Sequence, residues 1–276
     1  MTTFSKAIAV GSVLVITPIL PLWAGPEPSV SSGKPPALRE MSTDRPDATE
    51  SPFTVDVGHV QIESDIVFRG KDKSQDNRSS ETQIGALNLR FGVTARTELG
   101  LFVSPYVQVV DRLATGEISR RTGFGDLVVR GKFNFWGNDG GRSAFGVIVD
   151  LSLPTAENRL GTGRVVPSLL IPFDCEVGGG WSFGAMAGGD LRRSNGDSRY
   201  RGVLISTAVM GHAVTTASEI YFELTSEAGD GSHVATFNTG LTFRLNPDLQ
   251  FDTGVNLGIS DAATDNQLFV GVARRF

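Results

Sequence analysis

From Val60 to the last residue, apolar and polar side chains exchange places at almost every step. Val60, Ile62, Ile66 and Phe68 alternate with His59, Gln61, Glu63, Asp65 and Arg69. Leu87, Leu89, Phe91 and Val93 alternate with Asn88, Arg90 and Thr94. Leu99, Leu101, Val103, Val107 and Val109 stand against Glu98, Ser104, Tyr106 and Gln108, and Leu127, Val129, Phe133 and Phe135 against Asp126, Arg130, Lys132 and Asn134. Successive side chains of a strand point to opposite faces, so each run predicts a strand with one apolar and one polar face. Further runs fall at 145–153, 165–176, 181–192, 219–224, 237–244, 249–259 and 268–276. A strand is also expected over 201–212, with no assignment of its two faces.

These runs number about twelve, an even count of the kind single-chain bacterial barrels use. Their connections alternate in length. Ala95–Thr97, Gly178–Gly180 and Leu245–Asp248 read as tight turns, whereas Gly70–Thr82, Asp111–Gly123 and Pro154–Gly163 read as long polar loops. Short turns at one rim and long loops at the other are the outer-membrane arrangement. A soluble β-sandwich also alternates. Three features favour lipid on the outside: apolar faces that persist over nine to eleven residues, near the length a tilted membrane strand needs; polar faces that mix both charge signs; and an aromatic last residue, Phe276, in phase with Leu268, Val270 and Val272. The expected fold is an all-β, transmembrane, antiparallel up-and-down β-barrel of about twelve strands.

The N-terminus fits export. Lys6 precedes an apolar run from Ala7 to Leu20, then Ala24 offers a small residue before Gly25, the order of a secretory signal peptide. A short membrane anchor is the alternative. The expected organisation is a signal peptide over 1–24, a periplasmic linker or N-terminal plug over 25–55, and the barrel over 56–276. Composition narrows the chemistry further. A net charge of -5 in 276 residues argues against a nucleic-acid partner, and the single cysteine, Cys175, rules out an internal disulfide. Cys175 is placed on the lipid-facing side as bulk.

From Thr43 the chain reads Thr-Asp-Arg-Pro-Asp-Ala-Thr-Glu-Ser-Pro, followed by Gly58 and Gln61-Ile62-Glu63. Together with Gly123–Asp126 followed by Arg130 and Lys132, with Leu153-Pro154-Thr155, and with Gly271 to Phe276, this resembles an outer-membrane family named as transporters of the phenol-degradation MetA pathway. The resemblance spans almost the whole mature chain. It implies an outer-membrane barrel and transport of aromatic or other small hydrophobic compounds.

Within this frame, Glu63, Asp65, Arg90, Asp126, Arg130, Lys132, Glu223, Arg244 and Asp252 are the candidate lumen lining. Twelve strands about 4.8 Å apart and tilted near 40° give a backbone radius of roughly 12 Å. The polar set then forms either a selective pore or a paired network that braces the wall. Asp44, Arg45, Asp47 and Glu50 have two readings as well: a plug with Arg45 paired to lumen carboxylates, or a capped turn opening the first strand. Phe276 is the candidate signal for the outer-membrane assembly machinery. The expected partners are outer-membrane lipid, that machinery and a small-molecule solute; no cofactor and no metal is expected. Passive uptake through a channel leads the functional readings, ahead of a structural or adhesive barrel without an open pore. A hydrolase built on Ser206 and His212 comes last, and the chain is read as a non-enzyme.

Overall fold

The computed structural model describes residues 38–74, 77–193, 199–229 and 231–276. The expected leader and the linker as far as residue 37 lie outside the described residues. Fourteen strands follow one another: β1 (Val60–Ser74), β2 (Asn77–Thr94), β3 (Thr97–Val103), β4 (Tyr106–Arg112), β5 (Ile118–Gly123), β6 (Leu127–Trp136), β7 (Ser143–Leu153), β8 (Val166–Gly178), β9 (Trp181–Arg192), β10 (Arg201–Ala213), β11 (Ser218–Gly229), β12 (Ser232–Asn246), β13 (Leu249–Gly258) and β14 (Asn266–Arg275). Two of the staves are broken. β2 pairs with both β3 and β4 in one continuous register, and these pair in turn with β6 and β5. The fourteen strands therefore make twelve staves, all antiparallel, and β14 returns to pair with β1. A closed sheet satisfies the backbone between strands, which lipid requires because it offers no hydrogen bonds.

Burial runs opposite to that of a soluble protein. Leu99, Val149, Leu169, Leu204, Phe222, Leu241, Phe251, Leu268 and Val270 are exposed on the outer face, whereas Glu63, Arg90, Glu98, Lys132, Asn134 and Glu223 are fully buried. Large apolar surface left open around the whole wall needs an apolar solvent. Cys175, partly exposed, keeps the outward phase of Leu169 and Ile171. In β10 the inner face carries Val203, Ile205, Thr207 and Val209, which resolves the strand whose faces were open.

Two expected loops are strand. β1 and β2 extend as a hairpin through most of 70–82, and β4 and β5 occupy all of 111–123 except 113–117. The third long connection, 154–165, is irregular as expected, and it bonds to the free edge of β5 by the Asn158 amide donating to the Thr122 carbonyl at 2.7 Å. The phase of the alternation also slips at one level across four staves. The register shifts between Asp65 and Val67, Gly85 takes a positive φ of 67°, and the chain breaks at Ser104-Pro105 and at Phe124–Asp126. Beyond that level the faces exchange. Phe68 is paired with the buried Phe269 and turns inward, while Arg69 is paired with the exposed Leu268 and turns outward. Val107, buried at 5% exposure, lies inside, not outside as the uninterrupted alternation predicts.

Candidate functional site

Residues 38–57 have no apolar period and cannot form a wall strand; they run inside the barrel and bond to it on nearly every side. Local contacts shape them first. The Ser42 and Ser51 hydroxyls meet at 2.7 Å, and Thr43 Oγ1 donates to the Arg45 carbonyl at 2.6 Å. Pro46 and Pro52 restrict the backbone between. The wall makes room for them with glycine: a Cβ added at Gly92 would run into the carbonyl oxygens of Asp56 and Val55, and one added at Gly271 into the Arg45 guanidinium.

Asp44 is the hub of the first side. Its N–H donates to the Glu63 carboxylate at 3.1 Å. Its own carboxylate takes Lys132 Nζ, Arg90 at 3.5 Å and Arg130 at 3.4 Å. Burial opposes charge on Asp44, but Arg90, Lys132 and Arg130 outweigh it and hold the carboxyl below the usual carboxylate range. Arg90, fully buried, donates to Glu63 at 2.7 Å, to Glu98 at 2.8 and 2.9 Å, and to the Phe53 carbonyl at 3.0 Å. Arg130 pairs with Asp150 at 2.7 Å and with both oxygens of Glu50, one at 2.6 Å, and lies 4.5 Å over the Phe102 ring. Every buried charge in this group has a partner, the condition for keeping ions out of water.

Arg45 reaches the other way, to Asp65 and Asp252, each at 2.8 Å. Glu223 receives the N–H groups of Ala48 at 3.0 Å and Thr49 at 2.7 Å, the Thr49 hydroxyl at 2.6 Å and the Asn238 amide at 2.7 Å. Asp47 and Glu50 are partly buried and both are pushed up, Asp47 by burial and then by the Glu223 charge, Glu50 by burial that Arg130 only partly offsets. At the short-turn mouth, Arg244 pairs with Glu40, and Arg275 with Asp248 at 2.7 Å and Asp56 at 3.1 Å. A cavity of about 740 Å³ remains there between the segment and the wall, bordered by Asp174, Glu219 and Tyr221.

The structure thus brings Glu63, Asp65, Arg90, Arg130, Lys132, Glu223, Arg244 and Asp252 against the segment that holds Asp44, Arg45, Asp47 and Glu50. Asp126 is the exception. It sits in the break between β5 and β6, where its carboxylate accepts from the Ala156 and Thr162 N–H groups at 2.9 and 2.8 Å and from the Thr162 hydroxyl at 3.0 Å. It ties down the long loop and takes no part in the charge cluster. Asn134, which donates to the Pro52 carbonyl at 2.9 Å, and Asn138, which donates to Ala95 at 2.7 Å, belong to the site but were not singled out from the sequence, where uncharged amides resemble any polar position. Phe276 closes the seam: its N–H donates to the Val60 carbonyl at 2.8 Å, and Arg274 lies 4.7 Å from its ring.

The upper lumen differs in chemistry. Ile148, Leu170 and Met186 form a buried apolar cluster with Ile205 packed against it, and Val203 continues it. Among the described residues no group of three or more His, Cys, Asp or Glu side chains is placed to hold a metal ion. Ser206 and His212 both lie on the outer face, six residues and so roughly 20 Å apart along one strand, and His212 stacks on Trp181 at 4.3 Å.

A family described as "Putative MetA-pathway of phenol degradation" matches residues 43–276. No curated protein matches the chain by sequence. Among solved structures, the β domain of the Bordetella autotransporter Brka superposes with a TM-score of 0.52 at 12% identity, covering 80% of this chain and 100% of that one. The NanC porin superposes with a TM-score of 0.51 at 9% identity, covering 78% and 98%. At these identities the likeness is one of fold.

Proposed function

We propose that this chain, which belongs to the family described as "Putative MetA-pathway of phenol degradation", is an outer-membrane channel for passive uptake of small compounds, aromatic or hydrophobic ones among them. In this reading residues 38–57 are a stopper at the periplasmic end, and solute passes when they shift. The observation that carries it is the two-sided lumen. One wall spends its charges on the segment, while β7–β10 offer Ile148, Leu170, Met186 and Ile205, an apolar strip unusual in a wall that otherwise faces polar groups inward. A ring can slide along that strip without leaving a polar group unpaired. Glu63, Asp65, Arg90, Arg130, Lys132, Glu223, Arg244 and Asp252 act as the seat of the stopper, and Asp44, Arg45, Asp47 and Glu50 as its contacts.

Single-channel conductance in a planar bilayer tests this. The refolded chain is expected to conduct rarely, and deletion of residues 38–57 to give frequent, larger steps; vesicle swelling with phenol should then exceed swelling with a neutral sugar of similar size. A second reading, a structural barrel without an open pore, draws on the same pairing of charges across the lumen. A folded barrel that stays silent with and without the segment would establish that reading and end the first.

A further inference from the structure

Above the level where the alternation slips, charge is sorted by sign across the wall. On β1, β2, β4 and β5, the acids Asp72, Glu81 and Asp111 take the inward phase, and Arg121 joins them in an ion pair with Asp111 at 3.2 Å. Six cations take the outward phase: Arg69, Lys71, Lys73, Arg78, Arg112 and Arg120. All six are exposed, and none forms an ion pair among the described residues. The far side of the barrel contrasts with this, whereas β14, beside β1, carries one further outward cation, Arg274. In β8–β13 the lysines and arginines are Arg192, Arg201 and Arg244, and all three take the inward phase.

The cations stand in rows. Lys73 is directly opposite Arg78, and Arg78 directly opposite Arg112. Neighbouring strands lie about 4.8 Å apart, and like charges directly opposite one another destabilise a sheet. Such a row is tolerable where an anion neutralises it. Its height is equally informative. The last outward row that is apolar throughout is Val67, Ile84 and Tyr106; above it Val110, opposite Arg120, and Ile118, opposite Arg112, are apolar residues among the cations. Each further pair of residues along a strand tilted near 40° climbs about 5 Å. Arg69 therefore stands about 5 Å above the hydrocarbon edge, within the headgroup layer. Lys71 and Arg120 stand about 10 Å and Lys73, Arg78 and Arg112 about 15 Å above it, a height that only a headgroup carrying its phosphates on sugars reaches.

We propose that this outer face of β1, β2, β4 and β5 is a binding surface for phosphate-bearing lipid headgroups of the outer leaflet, held laterally against one third of the barrel. The inference rests on the outer-membrane placement proposed above. Phosphates lie between the rows, and the inward turn of the strands' own acids leaves cations in excess on the face, with one carboxylate at its border, Asp265, which accepts the Lys73 N–H at 2.9 Å. A lumen-bound anionic solute would need the cations on the other side of the wall.

The full chain is refolded into phosphatidylcholine vesicles and into the same vesicles doped with a bisphosphorylated diglucosamine lipid, and the phosphorylated lipid retained after detergent extraction is titrated. The triple variant Lys73→Ser/Arg78→Ser/Arg112→Ser is expected to lose apparent affinity on the order of a hundredfold, and Arg112→Gln alone about fivefold, with gel mobility of the folded barrel unchanged. Equal retention by wild type and the triple variant would overturn the proposal. So would displacement of the lipid by inorganic phosphate or by a soluble acidic polysaccharide at matched charge, since the face would then serve a soluble anion. If the triple variant folds poorly, Arg112→Gln supplies the same comparison. A chain that enters neither kind of vesicle sinks the membrane placement itself, whereas one that enters both and holds no phosphorylated lipid sinks only this inference.

Discussion

On the inner surface, the stretch formed by β1, β2, β3 and β6 and the stretch formed by β8, β9 and β10 carry opposite chemistry. The first presents Glu63, Arg90, Glu98, Arg130 and Lys132, all nearly or fully buried and all paired. The second presents Leu170, Met186, Val203, Ile205 and Val209. A uniformly charged lumen would grip residues 38–57 from all sides or repel solute of low polarity, and a uniformly apolar one could not hold the segment at all. In the proposed channel the two tasks are divided between walls: the segment is anchored to one by bonds that are strong in a dry interior, and the apolar strip of the other is left for the solute once the segment shifts.

The sharpest way to break the contrast is to neutralise the charged wall at its centre. Arg90→Met strands Asp44, Glu63 and Glu98 together, and the barrel is expected to lose about 3–5 kcal/mol of stability, the cost of uncompensated buried charge. Urea titration of tryptophan emission from the refolded protein measures it. Gly92→Ala acts on the segment alone: the new methyl meets backbone carbonyls that cannot swing aside. An effect of about 1–3 kcal/mol on docking is expected, seen as faster protease cleavage within 38–57 while the barrel stays folded. On the other wall, Leu170→Ala truncates a buried side chain packed with Ile148 and Met186 and is expected to cost about 2 kcal/mol, the low end for a core truncation. It should lower phenol flux relative to sugar flux in the vesicle assay.

The smallest effect is on pH. Burial, then the Glu223 charge, raises the Asp47 carboxyl, so the docked state favours its protonated form. Its contribution to docking is full below the ordinary carboxylate pKa and fades as pH rises through the raised value. Asp44 behaves in the opposite sense: its carboxyl is held low, so its contribution is present above the ordinary value and is lost as pH falls through the depressed one. Protease cleavage of the segment should therefore be slowest between these limits, and Asp47→Asn should reduce the rise on the alkaline side only, leaving the part due to Glu50, whose carboxyl burial also raises.

Much of the wall was legible because lipid imposes a strict period of two. The period fails where its cause fails. In 201–212 both faces are apolar, since Val203, Ile205 and Val209 belong to the apolar strip while Leu204, Ala208 and Met210 meet lipid, and no alternation survives. In 70–82 and 111–123 the strands have climbed past the hydrocarbon, so neither face needs to be apolar and the strands resemble loops. The slip at Ile66, Gly85, Ser104-Pro105 and Phe124–Asp126 exchanges faces without changing composition, and it put Phe68, Arg69, Val107 and Val109 on the wrong sides. The segment announced itself through the density of charge at Asp44, Arg45, Asp47 and Glu50. Its resting place depended on partners as distant as Glu223 and Asp252, which spacing along the chain cannot indicate.

The position of Arg45 bears on how the barrel is made. Its guanidinium lies over Gly271 of β14 and holds Asp65 of β1 with one nitrogen and Asp252 of β13 with another. Those two acids flank the strand that closes the cylinder, so they come within reach of one side chain only after the first and last strands have met. An arginine near the beginning of the folded region therefore finds both partners together only in the closed cylinder, and it latches the seam from within.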